Sequence, residues 1–223
     1  MNYFRIIIAF VGLFAIADAA PTEWIKKDVP IGNKSFSSIF FVDSLTGWAV
    51  GYNGSILKTT NGGFAWTKQE SDYTHELVDI AFASPTAGCA VGEDGYCLRT
   101  TDGGTTWTKQ KITQYWLGTV CYSDANNVWA TGEYGVIVHS SNGGASWHVQ
   151  KSTISWGDYY DIAFATPQVG WAVGQITPLK TTDGGATWFD VPEGPSDMEQ
   201  IQFFDSEYGW ASSGNGVVMR TTD

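Results

Sequence analysis

Apolar and polar residues alternate in short runs along this chain, as in "SIFFVD" (38–43), "VDIAFAS" (78–84), "GTVCYSD" (118–124), "YDIAFAT" (160–166) and "EQIQFFD" (199–205). Each run has the period-2 pattern of a half-buried strand. Each is followed by a segment of the "GWAVG" type and then by a Gly-containing turn. A third run comes next, such as "SILKTT" (55–60) or "GVIVHSS" (135–141), and then a Gly-Gly turn into a Trp-bearing strand such as "AWTKQES" (65–71). Helical 3.6-residue spacing is absent, so the pattern predicts an all-β chain.

The unit repeats. Aligned on the Trp after the Gly-Gly turn, Trp24, Trp66, Trp107, Trp147 and Trp188 stand 42, 41, 40 and 41 residues apart. The second marker, Trp48, Cys89, Trp129, Trp171 and Trp210, gives 41, 40, 42 and 39. Four strands in about 40 residues, repeated in tandem, are the signature of a β-propeller blade. The chain is therefore expected to form about five four-stranded blades. The fifth unit stops at "RTTD" (220–223) without its Trp strand, while "EWIKK" (23–27) resembles "AWTKQ" one period before Trp66. Residues 22–29 are thus expected to supply the outer strand of the last blade; a section of a larger propeller is the alternative.

The turns between third and fourth strands read "KTTNGGFAW" (58–66), "RTTDGGTTW" (99–107), "HSSNGGASW" (139–147) and "KTTDGGATW" (180–188). They resemble the Asp-box, or BNR repeat. The longer pattern "DIAFATPQVGWAVGQITPLKTTDGGATW" (161–188) is similar to the photosystem II stability/assembly factor-like propellers, a similarity running over residues 22–223. The resemblance implies a binding or assembly scaffold. It does not specify an activity, because the same box occurs in sialidases, xyloglucanases and sortilin-type receptors. The arginine-rich patch that the resemblance implies for photosystem assembly factors has no counterpart here. Physically the box is a structural part: Asn61, Asp102, Asn142, Asp183 and Asp223 accept turn amides, the glycines take positive φ, and Trp66, Trp107, Trp147 and Trp188 cover the blade edge. Phe64 departs from the small residues at its position.

Residues 1–19 have one early cation, Arg5, an apolar run from Ile6 to Ala17 and an A-x-A pattern before position 20. This reads as a secretory signal peptide, so the remainder, 20–223, is expected in a secreted or extracytoplasmic location. Removing Arg5 and Asp18 together leaves the formal net charge at −11. That charge excludes nucleic acid as a partner, which needs a basic surface, and suits a solvated monomer with no membrane span once the leader is gone. Cys89, Cys97 and Cys121 are too few for a disulfide framework; Cys89 and Cys97 flank "GEDG", where either a cross-strand bridge or two small buried thiols fits. Asn33 and Asn53 stand in N-glycosylation sequons.

Catalytic chemistry is thinly represented. A sialidase needs an arginine cluster, and beyond the leader only Arg99 and Arg220 occur, both at the repeat position of Lys58, His139 and Lys180. A glycosidase needs two carboxylates across a cleft, for which Asp72, Glu76, Glu93, Asp94, Glu133 and Asp158 are loop candidates. His75, His139 and His148 lack metal-ligand spacing, so neither a metal nor a cofactor is expected. The loops joining one blade to the next, with the turns "GEDG" and "GEYG", should share the face opposite the boxes. Tyr73, Tyr115, Trp116, Trp156, Tyr159 and Tyr160, with Glu93, Asp94, Glu133 and Asp158, are the candidate contacts there for a protein or glycan partner. A non-enzymatic binding scaffold is the leading expectation, and a carbohydrate-active or glycan-binding protein the alternative.

Overall fold

The computed structural model describes residues 5–7, 26–27, 29–30, 35–151, 157–192 and 194–221. They form five radiating sheets. The first holds β1 (Arg5–Ile7), β2 (Phe36–Phe41), β3 (Gly47–Gly51), β4 (Ser55–Thr59) and β5 (Thr67–Gln69), with β1, inside the segment read as a leader, parallel to β2 and the rest antiparallel. The second holds β6 (Leu77–Phe82), β7 (Gly88–Gly92), β8 (Tyr96–Thr100) and β9 (Thr108–Lys111). The third holds β10 (Leu117–Tyr122), β11 (Val128–Gly132), β12 (Ile137–Ser140) and β13 (His148–Lys151). The fourth holds β14 (Tyr159–Phe164), β15 (Gly170–Gly174), β16 (Leu179–Thr181) and β17 (Phe189–Asp190). The fifth holds β18 (Met198–Phe203), β19 (Gly209–Ser213) and β20 (Val218–Thr221).

These are propeller blades, and the repeated residues explain their packing. The Trp of the second strand faces a Lys or His of the third: Trp48 pairs with Lys58, Trp129 with His139 and Trp171 with Lys180. Arg99 and Arg220 take the same position opposite Cys89 and Trp210, as repeat elements. Trp48, Cys89 and Trp129 also meet the next blade. Trp48 stacks on Phe82 at 3.6 Å between ring centroids and donates from Nε1 to the Gly103 carbonyl at 3.2 Å. A Cβ on Gly144 would stand 2.5 Å from Cys89 Sγ, and one on Gly185 2.1 Å from the Trp129 ring, so only glycine fits at these two positions.

Within the four described boxes the Asp or Asn side chain and the preceding Thr or Ser hydroxyl hold the turn. Asp102 Oδ1 accepts from Thr106 N and Thr100 Oγ1, both at 2.9 Å, and Thr100 Oγ1 accepts from Gly104 N at 2.8 Å. Asn61, Asn142 and Asp183 repeat the arrangement with Ala65, Ser146 and Thr187. The four box Trp residues are half-buried. Asp223 lies outside the described residues, as does most of 22–29 and with it the expected closure against β20. Lys27 is described: its Nζ sits 4.9 Å above the ring of Phe64 in the first box. Its repeat equivalent, Gln69, lies beside the second box at Gly104. Cys89 and Cys97 are free thiols, buried side by side with Tyr122 donating to Cys89 Sγ at 3.2 Å.

Innermost strands pack in the order β2, β6, β10, β14, β18, with no comparable approach of β18 to β2 among the described residues. They share no backbone ladder, so buried side chains join them. Asp79, 1% exposed, accepts from Ser38 Oγ of the first blade at 2.7 Å, and from Thr119 Oγ1 and Val120 N of the third at 3.1 and 2.9 Å. Asp161 likewise accepts from Ile201 N at 2.9 Å. Asp79→Ala should therefore cost on the order of 3 kcal/mol in urea unfolding, because three donors on two flanking blades lose their acceptor, and Asp79→Asn should cost less.

His139 stacks on Trp129 at 3.9 Å, and its Nε2 lies 2.8 Å from Asn127 Oδ1, while its Nδ1 is buried without a partner. Burial, helped by nearby His148, lowers its pKa from the ordinary 6.5 to about 4. The folded chain thus holds the neutral ring, and stability falls as pH drops from about 6.5 towards 4, where the unfolded chain binds a proton the fold refuses. Thermal melts should show a loss on the order of 2 kcal/mol across that window, flattened in His139→Leu.

Candidate binding funnel

Every innermost strand slips register once, at the end facing the blade-to-blade loops: between Phe36 and Ser38, Leu77 and Asp79, Leu117 and Thr119, Tyr159 and Asp161, and Met198 and Gln200. A bulge leaves one residue outside the ladder and re-aims it. Those residues are Ser37, Val78, Gly118, Tyr160 and Glu199. All five line a central cavity of about 800 Å³ bounded by residues from all five blades. The chain therefore builds a funnel whose wall is chosen one residue per blade.

A second ring lies just above. The carbonyls of Ser35, Glu76, Trp116 and Asp158 accept from the N–H groups of Tyr52, Glu93, Glu133 and Gln175 at 3.2, 3.0, 3.1 and 3.0 Å, fastening each connecting loop to a turn of its own blade. The final glycine of "GWAVG" is demanded here. A Cβ on Gly51, Gly92, Gly132 or Gly174 would stand 2.2, 2.0, 1.9 or 2.1 Å from those same carbonyl oxygens.

Carboxylates converge on this rigid rim. Glu76 accepts from Ser37 Oγ at 2.8 Å, Glu133 from Trp116 N at 3.3 Å, and Asp158 from Tyr134 N at 3.0 Å. Glu199 enters from the fifth blade. Among the described residues no Lys, Arg or His pairs with any of the four. Burial, together with the carboxylates of Asp158, Glu199 and Asp197, raises the Tyr160 phenol above its ordinary range, so it remains a neutral hydroxyl.

The face chosen from the sequence contains this funnel, but the residues divide. Trp116, Tyr159, Tyr160, Glu133 and Asp158 line it, with Trp116 40% exposed and Tyr159 only 2%. Tyr73 is a correction: it is 4% exposed, with its hydroxyl donating to the Glu93 carbonyl at 2.6 Å and its ring against Tyr96, and so packs the blade interior. Tyr115 packs against the core and Tyr134. Glu93 and Asp94 lie off the funnel beside His75, with Glu93 also accepting from Glu76 N at 3.1 Å. Trp156 and Asn33 lie outside the described residues. Asn53 is exposed in the turn after β3, next to Tyr52 on the funnel wall. Sequence reasoning missed Glu199, Tyr52 and the place of Glu76 at the rim. The column Ser37, Val78, Gly118, Tyr160, Glu199, variable between an apolar or aromatic residue before it and a polar one after it, was the signal.

Residues 65–153 match the family model described as photosynthesis system II assembly factor YCF48. No curated protein matches the chain. Among solved structures it is similar to YCF48 bound to D1 peptide, at 17% identity over 87% of this chain and 95% of that one, with a TM-score of 0.51. YCF48 from Cyanidioschyzon merolae is similar at 19% identity over 87% and 69%, with a TM-score of 0.68. An ancestral GH74 enzyme aligns at 15% identity and a TM-score of 0.60, over 82% of this chain and 32% of its own. At such identities the structural likeness is one of fold. Repeats and blades together make this chain a β-propeller built on Asp-box turns, with the match to the photosystem II assembly factor model confined to residues 65–153.

Proposed function

We propose that the chain is a non-enzymatic scaffold, working in a secreted or lumenal compartment, that holds a protein partner in the funnel. The observation that carries this reading is the contrast between wall and support. Trp-cation pairs, boxes and rim glycines repeat from blade to blade, whereas the bulged positions read Ser, Val, Gly, Tyr and Glu. A scaffold that fixes where binding occurs and varies what is presented there behaves this way.

Two features favour binding over hydrolysis. Neither Arg99 nor Arg220 reaches the funnel wall, so among the described residues no arginine is offered to a sialic acid carboxylate. Glu76, Glu133 and Asp158 each accept a hydrogen bond from the chain itself, which holds the rim rather than leaving acid and base free. The match to an assembly factor and the likeness to a protein solved with a bound peptide support a protein partner. The compartment rests on the reading of residues 1–19 as a leader.

Affinity capture from an extract of the source organism tests this. Trp116→Ala should weaken the captured partner by about 30-fold, the scale of an interface hot spot. Phe64→Ala, an aromatic truncation on the opposite face, should leave it unchanged. Equal binding by both variants, or turnover of sialosides or β-glucans by the purified chain, would contradict the proposal.

A further inference from the structure

The chemistry of the funnel narrows the partner further, an inference that rests on the funnel being the partner site. Four blades each send one carboxylate to it, through Glu76, Glu133, Asp158 and Glu199, and among the described residues no Lys, Arg or His lines the wall. Beyond the leader, the chain as a whole carries a net charge of −11. Like charges converging in a concave site make a strongly negative potential there, and covering them with a neutral ligand would desolvate them without a countercharge. A neutral sugar therefore fits poorly.

A metal ion fits poorly as well. The carboxylates come from separate blades, and among the described residues no three His, Cys, Asp or Glu side chains stand close enough to hold one. What satisfies a spread of separate carboxylates beside exposed aromatic rings is a long cationic side chain. An ammonium or guanidinium makes charge-assisted hydrogen bonds while its aliphatic stem and charge lie against Trp116 and Tyr160. We infer that the funnel recognises an extended peptide segment by inserting its lysine or arginine side chains between Trp116, Tyr160 and the carboxylates of Glu76, Glu133, Asp158 and Glu199.

Fluorescence anisotropy with three probes tests this: a fluorescein-labelled Gly-Ser octapeptide carrying two lysines, the same peptide carrying two glutamates, and labelled cellotetraose. The lysine peptide should bind and weaken as salt rises, while the other two should not bind. Glu76→Gln with Glu199→Gln should weaken it about tenfold, since glutamine keeps the shape and the acceptor oxygen but removes the charge. Glu70→Gln with Glu207→Gln, which remove as much charge away from the funnel, should change affinity less than twofold. Thermal melts of both double variants establish that each is folded. Equal weakening by the two pairs, or no binding of the lysine peptide, overturns the inference. Cellotetraose binding lost in Trp116→Ala, without lysine-peptide binding, would leave the funnel as a site and remove its preference for cations. Lysine-peptide binding that survives both the Glu76/Glu199 pair and Trp116→Ala would remove the funnel itself.

Discussion

Sheets that radiate from one centre share no backbone hydrogen bonds with their neighbours, so everything in this structure depends on how closely adjacent blades can approach. The approach is set by glycine. At Gly144 and Gly185 the box of one blade lies directly against Cys89 and Trp129 of the blade before, in spaces that a single Cβ would close. Towards the centre the joint is electrostatic, with the Asp79 carboxylate accepting from the blades on both sides. A buried acceptor shared in this way links the three blades mechanically, because loosening either neighbour strands a charge in the interior.

The funnel follows from the same geometry. Once the innermost strands are fixed around a centre, the bulge at the start of each becomes the cheapest place to vary chemistry, since the re-aimed residue bears no packing duty. Below the bulge a polar residue and then a β-branched one, Ile39, Ile80, Val120, Ile162 or Ile201, recur in every blade; at the bulge the side chains run from glycine to tyrosine to glutamate. The rim above is held by backbone carbonyls and turn amides, so its carboxylates are presented by a preorganised frame. Binding such a site orders little, which favours affinity for a short extended segment.

The architecture was legible in the sequence because its determinants are local. Gly-Gly turns, the Trp-cation pair and the strand alternation each lie within about ten residues of their partners, and their recurrence exposes the blade. The boxes behave as their residue types require, down to the Thr hydroxyl that accepts from the second glycine. The funnel was legible only by face. Tyr73 and Trp116 both stand in polar connecting loops, yet one turns into its blade beside Tyr96 and the other faces the channel, a difference of backbone direction that composition does not encode. Glu199 was missed because strand alternation without a bulge gives the residue no place on the channel wall, and a slip of one residue puts it there. Comparing the five units column by column recovers it, since the bulged column varies freely while the columns on either side keep one character, apolar or aromatic before it and polar after it.

Hydrogen exchange on the full chain with and without the lysine peptide is the most direct measure of whether the funnel is where this protein binds. Amides at 35–37, 76–78, 116–118, 158–160 and 199–200 should exchange more slowly when the peptide is present, while those of the box turns at 61–63, 102–104, 142–144 and 183–185 should be unaffected. Protection confined to the boxes or to the outer strands, with the five bulges unchanged, would contradict the account.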